Sequence, residues 1–268
     1  MEKNDNQVEK DGGGLAGKLG RATRWFVIVL ILLVIGFLIW AAFPAGPQEV
    51  AKKALEGNEL VKVEKLAGVL TFTPAVTNGN CVIFYHGAHT KPEAYAPLLS
   101  LFASEGYTVF APKFPFYLAN LGKNKAGAIM AKEELAGGCS KWIGVGHSLG
   151  GYALSEYVAK NLEDFETVML LGAKRISKNE GFSSYAGAIA NVIGSRDEVV
   201  GQSRFWKNRT LLPSKAGIVT LPGGNHAQYG DFGTLIRDDE AEISAEEQWK
   251  MTLETLMILN DGDWEGAD

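Results

Sequence analysis

Residues 141–153 (KWIGVGHSLGGYA) constrain the fold more than any other part of the chain. At their centre Gly146, Ser148 and Gly150 have the spacing G-x-S-x-G. Trp142, Ile143 and Val145 lead in as a buried strand, and residues 151–160 lead out as a helix. A strand that turns this sharply into a helix holds Ser148 in a strained backbone state with its hydroxyl exposed. Gly146 and Gly150 keep side chains out of a turn too tight for them. The helix starts beneath the serine, so its unpaired N–H groups face any anion formed there. In a chain with 32 glycines the bare spacing is weak evidence, and the flanking elements must carry the reading.

The flanking pattern is α/β. Strand signals at 61–66 and 69–73 read as a pair. Further strands at 81–85, 107–111, 167–171, 188–193 and 218–221 alternate with helix signals at 93–105, 124–136 and 245–259. Alternation of this kind implies a mostly parallel sheet with helices on both faces. The 268 residues suffice for one large domain of this class. A net charge of −5 offers no basic surface for nucleic acid. The acidic excess gathers late in the chain, at Asp238, Asp239, Glu240, Glu242, Glu246, Glu247, Asp261, Asp263, Glu265 and Asp268, and reads as a solvated helix face and a frayed tail.

Residues 25–43 contain no charge, and that length is close to what a helix needs to cross a bilayer. Trp25 and Trp40 lie near its ends, where indoles favour the headgroup layer. Lys18, Arg21 and Arg24 precede it, and no charge follows until Glu49. This asymmetry places the N-terminus in the cytoplasm and everything after Phe43 outside, with the lipid bilayer as a partner of residues 25–43. A cleaved signal peptide is the rival reading, but residues 41–45 (AAFPA) offer no clean A-x-A site. Residues 1–24 are polar and glycine-rich and read as a disordered cytoplasmic stub. Residues 44–59 read as a linker or juxtamembrane helix, 60–260 as the folded domain, and 261–268 as an acidic tail.

A serine hydroxyl is a poor nucleophile at neutral pH and needs a base, and that base needs a carboxylate to orient it. Of the four histidines, His147 lies inside the turn beside Ser148, while His86 and His89 precede it in the chain. His226 follows a strand, in a loop at the edge where open α/β sheets place their chemistry, and is the expected base. Asp197 follows the 188–193 strand by a Gly-Ser-Arg turn and is the expected carboxylate, with Glu198 as the alternative. Two preorganised N–H donors complete the site: Leu149, and Ala88 in the loop after the 81–85 strand, where Gly87 permits close approach. No cofactor is called for. Two cysteines far apart and no paired histidine spacing speak against a metal.

Together these motifs, His86-Gly87, Gly-His-Ser148-Leu-Gly, Gly-Ser-Arg-Asp197 and residues 224–230 (GNHAQYG), resemble the α/β-hydrolase superfamily over about residues 60–260. Within it the chain looks like the small, lidless branch around dienelactone hydrolases, and its 225–230 phrase resembles bacterial membrane-tethered hydrolases. The resemblance implies an eight-stranded, mostly parallel sheet and a Ser148–His226–Asp197 triad. Dienelactone hydrolases proper carry cysteine where this chain has Ser148. The fourteen residues from Gly172 to Tyr185 are too few for a helical cap, so an open site is expected, suited to bulky or envelope-bound acyl esters. In the implied sheet order Cys81 and Cys139 begin or precede neighbouring strands, either as a disulfide in an oxidising compartment or as two buried thiols. The expected function is extracytoplasmic hydrolysis of a carboxylic ester or thioester. Acyl transfer to an envelope alcohol and a non-catalytic binding role are the alternatives.

Overall fold

The computed structural model describes residues 15–262. They fall into two compact units that divide between Phe43 and Pro44. The first is the helix α1 (Leu15–Ala42). Its stretch Ala22–Ala42 is the one helix among the described residues long and apolar enough to span a membrane, and its large apolar side chains from Trp25 to Trp40 are exposed. The helix begins ten residues before Trp25, so residues 15–24 are helical where composition suggests a disordered stub. That stretch holds no proline, and although Gly17 and Gly20 each cost about 1 kcal/mol in a helix, extending one already nucleated by the apolar run needs no new nucleus. The rest of the stub, residues 1–14, lies outside the described residues, as do residues 263–268 of the acidic tail.

The second unit begins at Pro44 and so takes in residues 44–59, read from composition as a linker or juxtamembrane helix. Ala45 donates its N–H to the His89 carbonyl at 2.9 Å and accepts the Lys91 N–H at 2.8 Å, as a short parallel bridge to Thr90. Gln48 donates to the Asp231 carbonyl at 2.8 Å. In α2 (Glu49–Ala54) the Ala51 N–H reaches the Asp231 carboxylate, also at 2.8 Å. Composition cannot show this strap, because three of its four bonds join main-chain groups, which any sequence carries.

Eight strands follow: β1 (Val61–Leu66), β2 (Val69–Pro74), β3 (Asn80–Tyr85), β4 (Thr108–Pro112), β5 (Lys141–His147), β6 (Thr167–Leu171), β7 (Ala188–Gly194) and β8 (Gly217–Leu221). They form one sheet in the order β1-β2-β4-β3-β5-β6-β7-β8. The β1–β2 and β2–β4 pairs are antiparallel and the remaining pairs parallel. The edge strand β1 alternates apolar with charged residues and exposes Lys62 and Lys65, which discourages pairing with another sheet. The inner strands are mostly apolar, as a sheet covered on both faces requires, with Asn191 of β7 a buried exception.

Helices α3 (Ala96–Ser104), α4 (Lys125–Met130), α5 (Glu133–Ala136), α6 (Leu149–Val158), α7 (Glu180–Ser183), α8 (Gln202–Lys207) and α9 (Ala245–Asp261) complete the domain. The pleat of β3 divides the core. Val82 and Phe84 pack with Leu98 and Phe102 of α3 and Leu256 of α9, whereas Ile83 and Tyr85 pack with Leu154 and Val158 of α6. Ser244 and Glu247 form a reciprocal capping box at the start of α9. Between Gly172 and Tyr185 the only helix is the four-residue α7.

Cys81, on β3, and Cys139, two residues before β5, form a disulfide with Cα atoms 5.5 Å apart. Cys81 lies beside Trp142 in the parallel register, at the amino ends of both strands. At the other end, Tyr85 pairs with Gly146, His147 with Leu171, Leu171 with Val192, and Gly194 with Leu221. Five strands thus end level, and the loops after them share one edge.

Candidate active site

Ser148 stands at that edge between β5 and α6, with φ 54° and ψ −116°. A left-handed φ strains a residue with a side chain, and the surroundings hold it there. The Ser148 N–H donates to the Leu171 carbonyl at 2.8 Å. A Cβ on Gly150 would lie 2.0 Å from the Tyr85 carbonyl oxygen, and one on Gly146 would lie 2.8 Å from that of Gly150. The two glycines let α6 begin against the end of β3, with Gly150 packed on the Tyr85 and His86 carbonyls. Ser148 and Leu149 are half-buried, and Ala88 is exposed.

Asp197 and His226 meet at the same edge. His226 Nδ1 lies 2.8 Å from Asp197 Oδ2, and the two residues are 2% and 0% exposed. A carboxylate only accepts, so Nδ1 carries the proton and leaves Nε2 as the basic nitrogen. The other Asp197 oxygen accepts the Val200 N–H at 2.9 Å, which locks the carboxylate plane. Glu198, the alternative, is exposed. Gly172 connects this pair to the serine. It follows Leu171, the acceptor for Ser148, and a Cβ on it would fall 2.9 Å from both Asp197 Oδ2 and His226 Nδ1. The His226 ring also lies 4.5 Å from that of His147, the residue before Ser148.

Several contributors escape the sequence reading. Asp238, placed there on a solvated face, is half-buried and accepts the N–H groups of His226 and Ala227 at 3.2 and 2.7 Å. Burial raises its pKa. Gln248, fully buried on α9, exchanges two hydrogen bonds with the Asn225 main chain. Together they fix the loop that carries His226. Neither leaves a local signal, because each acts across more than ten residues. Glu247 is likewise spent on the α9 cap.

Beneath the site is a buried polar layer. The Tyr95 hydroxyl accepts the Gly87 N–H at 3.1 Å and hydrogen-bonds His147 Nδ1 at 2.8 Å. Burial lowers the His147 pKa well below the ordinary value, and neighbouring His226 lowers it further. His86, wholly buried, gives its Nδ1–H to the Gly87 carbonyl at 2.8 Å and is pushed down to about 4 by desolvation. Both imidazoles are therefore neutral supports. His89 has φ 53°, and its N–H donates to the Tyr117 carbonyl at 2.8 Å. Among the described residues no group of three or more His, Cys, Asp or Glu side chains is placed to hold a metal ion.

Comparison with known proteins agrees with this architecture. A family model described as "Alpha/beta hydrolase family" matches residues 81–250. No curated protein matches the chain. Among solved structures, the dienelactone hydrolase of Anabaena variabilis superposes with a TM-score of 0.58 at 13% identity, covering 75% of this chain and 99% of that one. Est1E of Butyrivibrio proteoclasticus, solved with ferulic acid, gives 0.55 at 11% identity, covering 75% and 99%. A bacterial membrane phospholipase A, described as a virulence factor, gives 0.59 at 12% identity, covering 90% and 98%. At such identities the likeness is one of fold.

Proposed function

Starting from the chain's membership of the alpha/beta hydrolase family, we propose that it is a membrane-anchored serine esterase acting through Ser148, His226 and Asp197. The observation that carries this reading is the buried His226–Asp197 pair, set over Gly172 beside the strained Ser148. His226 Nε2 takes the Ser148 proton as Oγ attacks the carbonyl of a carboxylic ester or thioester. The Leu149 and Ala88 N–H groups hold the developing oxyanion. Gly87 cannot serve, because its N–H is committed to Tyr95. The imidazolium then protonates the leaving alcohol or thiol. Water, deprotonated by His226, releases the acid and restores Ser148.

Residues 25–43 anchor the enzyme, with residues 1–24 cytoplasmic and the domain outside. The basic residues before the apolar run support that orientation. So does the Cys81–Cys139 disulfide, which persists in oxidising compartments. The test is labelling with a fluorophosphonate probe together with turnover of 4-nitrophenyl acetate. Wild type should label and turn over, and Ser148→Ala should lose labelling and at least about three orders of magnitude of kcat/KM. Equal turnover by the two proteins overturns the reading. Protease treatment of intact cells tests the topology, and protection of the domain overturns the orientation.

A further inference from the structure

A cavity of about 550 Å³ opens beside the nucleophile, lined by Ser148, Leu149, Tyr152, Lys174, Arg175 and Arg204. Three of the six are cations and none is an acid, in a chain whose net charge is −5. Lys174 and Arg175 lie just past the end of β6, and Arg204 lies on α8, beyond the end of β7. The Asn208 amide ties these segments together through the carbonyls of Ala173 and Lys174, at 3.4 and 3.3 Å.

Some cations elsewhere on the domain have acidic partners. Arg196 pairs with Asp239 and Glu242, Lys65 with Glu93, and Lys123 with Glu156. Among the described residues Lys174, Arg175 and Arg204 join no ion pair. An adjoining cavity that shares Tyr152 and Arg175 does contain an acid, Glu156, but its oxygens are taken by Lys123 and the Ser177 hydroxyl. Like charges gathered on a concave wall raise a positive potential that an incoming anion relieves. Guanidinium groups match the paired oxygens of carboxylate and phosphate.

Resting on the reading of Ser148 as the nucleophile, we propose that the substrate carries a second, anionic group next to its scissile ester. This carboxylate or phosphate is held by Lys174, Arg175 and Arg204 while Ser148 attacks the neighbouring carbonyl.

The test uses matched esters that differ by one charged group. The monoester 4-nitrophenyl glutarate against its methyl ester probes a carboxylate on the acyl side. 1-Butyrylglycerol 3-phosphate against 1-butyrylglycerol probes a phosphate on the alcohol side. Wild type should favour the anion in at least one pair by about tenfold or more in kcat/KM, and the favoured pair names the source of the charge. Arg175→Gln and Arg204→Gln, both at exposed positions, should shrink that ratio through KM, and Arg204→Lys should restore part of it. Added salt should erode the wild-type preference. Equal turnover within both pairs overturns the proposal, as does a preference that the combined Arg175→Gln/Arg204→Gln variant leaves unmoved. Fluorophosphonate labelling is read in the same samples. A labelled Ser148 with no charge preference defeats this proposal alone, whereas absent labelling defeats the esterase reading beneath it.

Discussion

Asp197 Oδ2 lies 2.8 Å from His226 Nδ1, and both residues are almost completely buried. The pair links loops after two adjacent strands, β7 and β8, and it fixes which imidazole nitrogen can take a proton. Asp197→Asn should therefore remove activity without removing the fold. The amide oxygen can still accept the Val200 N–H, but its NH2 now faces Nδ1 and selects the tautomer with Nε2 protonated. We expect kcat to fall by about four orders of magnitude at neutral pH, with an unchanged far-ultraviolet circular dichroism spectrum.

Gly172→Ala should act on the same pair from below. The residue has φ 51°, and the added methyl would press on both Asp197 Oδ2 and His226 Nδ1 at 2.9 Å. Displacing the dyad by a fraction of an ångström should lower kcat on the order of a hundredfold. The rate of fluorophosphonate labelling should fall in step. Labelling at the wild-type rate would contradict the placement of the dyad over this glycine.

Reducing the disulfide should cost stability and leave chemistry alone. Cys81 and Cys139 are 58 residues apart in sequence, and closing a loop of that size contributes about 4 kcal/mol in the chain-entropy model. For a domain of this size that corresponds to a Tm lower by roughly 10 °C. The bond sits at the amino ends of the strands, away from Ser148, so the Cys81→Ala/Cys139→Ala variant should keep its kcat at 25 °C.

Acid should destabilise the domain through its buried imidazoles. Burial holds His86 down to about 4 and keeps His147 well below its ordinary value, whereas both titrate normally once unfolded. Between pH about 6.5 and 4 the unfolded chain binds protons that the folded chain refuses, so stability present above that window is lost as pH falls through it. For His86 the loss is on the order of 3 kcal/mol. The raised pKa of Asp238 opposes it weakly at the acid end. Tm measured against pH should fall across this window, and His86→Asn should flatten the slope.

The fold was legible because its signals are local. Ile143 and Val145, the Gly146 and Gly150 spacing and the strand runs at 81–85 and 188–193 each declare an element within a few residues. Ser148, Asp197 and His226 could be singled out because each follows a strand within five residues. What escaped was whatever is held from afar. Asp238 looks like one more surface acid until the His226 loop folds over it. Tyr95 and Gln248 look like ordinary helix residues. Gly172 is one glycine among many, and its need is set by two side chains that arrive later in the chain. The short α8, which carries Arg204, has no periodicity strong enough to announce it.

The strap at Ala45 and Gln48 bears on where the gene can be cut to make a soluble enzyme. Its main chain is stitched to His89 and Lys91 on one side and to Asp231 on the other, in the loops after β3 and β8. An expression clone beginning at residue 60, where composition would start the domain, discards those stitches and unpins both loops. One beginning at Pro44 removes the apolar helix and keeps them.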